Sequence, residues 1–225
     1  MAPEMGQKEE FAKVLMDWAL CNCRDFLWRH GRTPYSILVA EFLLKRTTST
    51  AAHRQYLAFL ERYPDIEALA VADIHELEEV IRPIGLYKQR AKGLKEAAVF
   101  ISKEYGGQIP ASFEELLSIP HVGPYTAACI ISFGFGLPAA AVDSNVQRVL
   151  SRVFKRYLGG HPSSKDVYKF ACSLIPDKMH VLFNYALIDF GALVCTYRGC
   201  IGEGCPLKAV CDTFQATKPA RGDCA

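Results

Sequence analysis

Apolar residues recur three and four positions apart along almost the whole chain. Phe11, Val14, Leu15, Trp18 and Ala19 form one such stripe. Ile37, Leu38 and Phe42 form another behind Pro34, which can open a helix because its missing N–H costs nothing at a first helical position. The same spacing predicts a helix over roughly residues 50–62. Side chains with cap chemistry punctuate the pattern. Asp73 with Glu76 and Ser112 with Glu115 read as capping boxes, and Asp143 stands where it can cap a helix whose apolar face is Val146, Val149, Leu150 and Val153. Gly85 precedes a long helix carrying Ala91, Leu94, Ala98 and Phe100, and Pro124 opens one rich in Ala and Ile. Later helices are predicted over about 164–174 and 179–194. Two-residue alternation bounded by hairpin turns does not occur, so the predicted fold class is all-α.

Composition narrows this picture only a little. A chain of 225 residues, 50% hydrophobic and 22% charged, is long enough for one large domain or two small lobes. No low-complexity tract, single-charge run or internal repeat marks it as disordered or solenoidal. The longest apolar stretch, from Ala127 to Val142, is interrupted by Ser132, Gly134, Gly136 and Pro138, which makes it core rather than membrane span. The charged opening MAPEMGQKEE lacks an apolar signal core, so an intracellular protein is expected, in the cytoplasm or nucleoid of a prokaryote. A net charge of +2 neither demands nor excludes nucleic acid. Cysteine placement says more: Cys195, Cys200, Cys205 and Cys211 crowd into 17 residues, the pattern of a metal site in a reducing compartment.

The richest segment runs from Leu117 to Ala128. A Leu-bearing helix stops at Pro120, the chain turns tightly through Gly123, and a new helix starts at Pro124. Backbone N–H groups at such a turn and helix start point outward and can hold a phosphate, directly or through a cation. By itself this is equally an ordinary helix–helix connector.

Its surroundings decide the matter. Ile119-Pro120-His121-Val122-Gly123, then Gly136-Leu137-Pro138, then Val142-Asp143-Ser144-Asn145-Val146 and Arg148-Val149-Leu150 resemble the hairpin, loop and aspartate of the helix-hairpin-helix DNA glycosylases related to endonuclease III and MutY. Asp25 to His30, Pro34 to Leu38 and Glu41 to Thr48 look like the N-terminal half of the MIG-type thymine/uracil mismatch glycosylases. Gly85-Leu86-Tyr87, Gln89-Arg90-Ala91, Phe183-Asn184 and Asp189-Phe190 also match the superfamily. His121 is a departure, standing where the family usually has a glycine; a residue there with φ > 0 is tolerated less well than glycine.

The resemblance implies two helical lobes: residues 29–130 as a helical barrel containing the hairpin, and 1–28 with 131–225 as the cluster lobe. The active site is expected in the cleft between Glu41, Tyr125 and Asp143. Cleaving an N-glycosidic bond builds positive character on the sugar and negative charge on the base, so a carboxylate near the sugar and a donor near the base are needed. Asp143 is the expected carboxylate, although Asp is also a common plain N-cap. Glu41, between Ala40 and Phe42, is the second, with a pKa raised by desolvation. Tyr125 occupies the position of the endonuclease III lysine, and a phenol cannot form a Schiff base, so a monofunctional enzyme is implied. Because the base must be flipped out, Lys45 and Arg46 are expected to enter the duplex and read the opposite base. Gln89, Arg90, Val122, Gly123 and Thr126 are expected to contact the DNA backbone.

The family implies a [4Fe-4S] cluster on Cys195, Cys200, Cys205 and Cys211, with Lys208 or Arg198 presented to phosphate; tetrahedral zinc is the other metal such thiols hold. The spacing here is C-x4-C-x4-C-x5-C where the family has C-x6-C-x2-C-x5-C. The second family position falls on Gly202, leaving Cys200 as the available thiol, with Cys224 as a substitute. The implied activity is excision of thymine or uracil opposite guanine by a monomer acting on double-stranded DNA. The alternatives are adenine excision in the MutY manner and a non-catalytic iron–sulfur DNA-binding protein. A MutY-like enzyme carries a further C-terminal domain, whereas this chain ends soon after Cys211.

Overall fold

The computed structural model describes residues 5–217, and every regular element among them is helical. No helix of the described residues is long and apolar enough to cross a membrane. The chain forms two compact units: Asp25–Leu137, and the segments on either side of it.

The central unit contains α2 (Pro34–Leu44), α3 (Ser49–Arg62), α4 (Ile66–Val71), α5 (Ile74–Ile81), α6 (Tyr87–Tyr105), α7 (Phe113–Ser118) and α8 (Pro124–Cys129), with α1 (Met5–Asn22) lying in the other unit. Local chemistry sets the boundaries. Thr33 caps α2 in a reciprocal box with Ser36, Pro34 takes the first turn, and Asp73 accepts from the amides of His75 and Glu76 to start α5. Caps at Thr48, Asp65 and Ser163 were not read from the sequence. Helix α8 does not stop at Cys129; it widens into a π-helical turn over Ile130–Gly134. A β-carbon on Gly134 would lie 2.8 Å from the Pro34 backbone, so glycine lets this turn press against the start of α2. Phe42, Phe59, Leu69, Leu77, Leu94 and Ile101 are buried in this unit.

The second unit joins α1 to α9 (Ser144–Val153), α10 (Lys155–Leu158), α11 (Ser164–Cys172), α12 (His180–Leu193) and α13 (Asp212–Thr217). Its core is aromatic: Phe11 meets Phe154 edge-on at 5.1 Å, Phe154 meets Phe170 at 4.8 Å, and Trp18 packs on Phe190 at 5.1 Å. Asp189 is fully buried on α12. It accepts from the Arg24 amide at 2.7 Å and pairs with the Arg24 guanidinium, fixing the end of α1 on α12. Buried Asn184 donates to Ala139 O at 2.8 Å and accepts from Ala141 N at 2.9 Å. That amide thus orders the extended segment leading into Asp143, because no helix or sheet partner exists there for these backbone groups.

Candidate active site

Asp143 is the N-cap of α9, in extended backbone geometry. Its Oδ1 accepts from Val146 N at 2.7 Å and its Oδ2 from Asn145 Nδ2 at 2.9 Å. The carboxylate is therefore locked in one orientation while remaining only half-buried. The locking continues inward. Arg148 Nη2 donates to Asn145 Oδ1 at 2.9 Å and to Gly191 O at 2.7 Å, and Arg148 Nε donates to Cys195 O at 3.0 Å. A β-carbon on Gly191 would lie 2.8 Å from that of Asn145, so only glycine lets α12 approach this closely. An unbroken run of hydrogen bonds thus joins the Asp143 carboxylate to the first clustered cysteine. Asn145, Arg148 and Gly191 were not singled out as site residues from the sequence. The signal available was the polar Asn-x-x-Arg spacing on an otherwise amphipathic helix, which puts both residues on one face.

Cys195, Cys200, Cys205 and Cys211 border one cavity of about 260 Å³, walled by apolar side chains including Phe190 and Leu207. Burial pushes the Cys205 and Cys211 thiols up from their ordinary range, and the charge of the neighbouring cysteines pushes both further. Three groups address the sulfurs or their loop: Arg152 Nη1 donates to Cys195 Sγ at 3.4 Å and to Thr196 O at 2.8 Å, Gly202 N donates to Cys200 Sγ at 3.4 Å, and Cys211 Sγ donates to Arg152 O at 3.6 Å. Among the described residues no group of three or more His, Cys, Asp or Glu side chains is drawn together as a metal-holding set. Four thiols around a sizeable dry-walled cavity nevertheless fit a polynuclear cluster, whereas a lone zinc ion held at about 2.3 Å needs no such space. Lys208 is occupied by the Glu203 carbonyl at 2.7 Å and carboxylate at 3.1 Å, while Arg198 is exposed. Cys224 lies outside the described residues.

In the central unit Glu41 is buried on α2, 8% exposed, and Tyr125 is half-buried on the first turn of α8. The first bond of α8 runs from Ala127 N to Gly123 O, so the amides of Tyr125 and Thr126 precede the helical ladder. The Val122 amide is spent on Ile119 O at 3.1 Å, and the Val122 and Thr126 side chains are buried. Arg90 is also buried, at 4% exposure. It donates to Phe42 O and Leu43 O at 2.8 and 2.7 Å and to Gly85 O at 2.9 Å, closing the C-terminal carbonyls of α2. Burial pulls its pKa down.

Lys45, Arg46, Gln89 and Arg90 do come together, around a hollow of about 190 Å³ shared with His121 and Leu86. Of the four non-glycine residues with left-handed backbone among the described residues, three border this one hollow: Arg46 (φ 55°), Leu86 (φ 50°) and His121 (φ 65°). Each such residue costs about 1–3 kcal/mol. Leu86, 42% exposed at the entry to α6, was missed from the sequence; an apolar residue between Gly85 and a helix start was the clue.

Residues 39–174 match the HhH-GPD superfamily of base excision DNA repair proteins. The chain is 34% identical to a thymine/uracil-DNA glycosylase of Methanothermobacter thermautotrophicus, covering 93% of this chain and 95% of that one. It is 37% identical to a thymine-DNA glycosylase of Aeropyrum pernix, covering 92% and 96%. The solved structure of a thermostable thymine-DNA glycosylase superposes with a TM-score of 0.89 at 34% identity, over 94% of this chain and 98% of that one. An endonuclease III trapped on DNA superposes at 0.78 with 26% identity, over 96% and 99%. The chain belongs to the HhH-GPD superfamily of base excision DNA repair proteins. Within it, the chain is a DNA glycosylase, a hydrolase of base excision repair.

Proposed function

We propose that the chain excises thymine or uracil opposite guanine and releases an abasic site without cutting the strand. The observation that carries this reading is the Asp143 carboxylate, half-exposed and held at both oxygens, in a chain whose full-length relatives are thymine/uracil-DNA glycosylases. As the C1′–N bond breaks, its electrons leave with the base and the sugar becomes cationic. Asp143 faces that charge and orients the water whose oxygen bonds to C1′; the proton that water gives up balances the one the departing base takes. A fixed carboxylate does this better than a mobile one because its reorganisation is already complete. Glu41, buried on α2, holds the base through its polar edge. Tyr125 offers a phenol where a Schiff base requires an amine, which supports hydrolysis without strand cleavage. Arg46 and Gln89 meet the opposite guanine, Leu86 fills the gap, and the amides following Gly123 hold a phosphate.

Cys195, Cys200, Cys205 and Cys211 are assigned to a [4Fe-4S] cluster, with Cys200 as the rerouted second ligand. Bound there, the cluster supplies a rigid anchor for the loop. This chain's own Arg148 passes that anchoring to Asn145 and Asp143.

Duplexes carrying single T:G, U:G, A:G and A:8-oxoguanine pairs, scored for abasic sites with and without alkali, test the reading. Strand breaks at T and U only after alkali are expected. Cutting solely at adenine overturns the base assignment, and an imine trapped by borohydride overturns hydrolysis.

A further inference from the structure

The hairpin turn carries an unusual attachment. His121 Nε2 lies 2.5 Å from the Glu96 carboxylate on α6, and Glu96 also stands 3.8 Å from Lys92. The His121 ring rests over Gly93, where a β-carbon would come within 3.5 Å of the ring and 3.2 Å of Phe42. Its carbonyl accepts from Lys45 Nζ at 2.7 Å, and that ammonium sits 3.9 Å from the Phe42 ring centre. Burial holds the Lys45 ammonium below its usual range, with the Glu41 carboxylate acting against this and the Arg90 guanidinium adding to it. Three segments are tied at one residue: α6 through the ring, the end of α2 through the carbonyl, and the turn through the backbone.

We propose that Glu96, His121 and Lys45 form a positioning chain that locks the hairpin turn to the segment carrying Arg46, and that Lys45 acts on DNA only through His121. The proposal rests on the reading that this hairpin and Arg46 meet the duplex. Its physical content is simple. Arg46 and His121 both occupy left-handed backbone that the free chain avoids. A lysine tethered next to Arg46, and a carboxylate gripping the His121 ring, hold both conformations together before DNA arrives. Binding then costs less ordering.

The sign of one substitution separates this from plain electrostatics. Glu96→Ala removes a negative charge beside a DNA-facing surface, so charge alone tightens binding. The positioning chain requires the opposite: the dissociation constant for a T:G duplex rises about tenfold. Glu96→Gln, which keeps an acceptor oxygen for His121, restores most of the loss. His121→Gly combined with Glu96→Ala is no weaker than the worse single variant. The single-turnover rate of Glu96→Ala at saturating duplex stays within about twofold, and its thermal midpoint drops by only about 2–4 °C, the size of the lost ordering. For Lys45→Met the affinity falls while the slope of log K against log salt stays that of the wild type; a phosphate contact would lower that slope by about 0.9. Tighter or unchanged binding by Glu96→Ala, or a lowered salt slope for Lys45→Met, overturns the proposal. If the wild-type chain itself neither binds nor excises at T:G and U:G, the functional reading fails and carries this one with it; excision by the wild type with Glu96→Ala unaltered sinks the positioning chain alone.

Discussion

Around His121 the backbone is strained and the side chains are clamped. Three non-glycine residues sit in left-handed conformations about one hollow, and Lys45, Glu96 and Arg90 tie the segments that carry them. At the start of α9 nothing is strained. Asp143 is in ordinary extended backbone, and every link from its carboxylate to Cys195 is a hydrogen bond of 2.7–3.0 Å. Under the proposed function the two regions face different tasks. Pushing residues into a duplex needs side chains that project from tight turns, and tight turns cost conformational strain. Stabilising a cationic sugar needs a charge that does not move, which saturated hydrogen bonding supplies without strain.

The sharpest test of the second region separates capping from chemistry. Asparagine caps helices as well as aspartate does, so Asp143→Asn keeps the bond from Val146 N and α9 with it, and removes the charge and the acceptor of the Asn145 amide. Excision is expected to fall about a thousandfold, with duplex affinity and melting midpoint close to wild type. Undiminished excision would reduce Asp143 to a plain cap. Next in size is the link to the cysteines. Arg148→Met removes donors to Asn145, Gly191 and Cys195 together. A carboxylate displaced by about an ångström costs on the order of a hundredfold in rate, so excision measured at saturating duplex drops by about that factor. A variant with full activity would show that Asp143 needs no support from behind.

Gly191→Ala probes the same link by crowding. The added methyl meets the Asn145 β-carbon at 2.8 Å, so the approach of α12 to α9 must open. A loss of about 1–3 kcal/mol is expected in denaturant unfolding. An unchanged midpoint would mean that the two helices have room to spare.

The unstrained region was the more readable of the two. Asp143 before an apolar 3–4 spacing announces a capped helix, and four cysteines within 17 residues announce thiols gathered in one place, as they are around a single cavity. Pro124 and the Asp73 and Ser112 caps were equally plain, because caps are sequence-local. The hollow around His121 was not readable in that way. Lys45, Arg46, Gln89 and Arg90 were recognisable as polar residues near one another in the family's frame, but the partners of two of them were not. Arg90 turns inward to the α2 carbonyls and Lys45 to His121 O, since burial and long-range partners are set by packing between segments far apart in sequence. Left-handed backbone at Leu86 is likewise imposed from outside, because nothing in a leucine favours it.

That last residue gives the smallest effect on stability and the clearest contrast between the regions. Leu86→Gly removes a side chain that is 42% exposed and relieves a left-handed φ of 50°. Lost contact and the extra freedom of an unfolded glycine oppose the relieved strain of about 1–2 kcal/mol, so stability changes by less than about 1 kcal/mol. Leu150→Ala on α9, at a fully buried position, costs about 2–5 kcal/mol instead. Function reverses the order. On the proposed gap-filling role of Leu86, Leu86→Gly lowers the affinity for a mismatched duplex about tenfold, whereas folded Leu150→Ala binds as the wild type does. Binding titrations beside urea unfolding curves for both variants would decide it. A Leu86→Gly protein that loses stability and keeps its affinity would place that leucine in the core and leave the strain at its φ without a purpose.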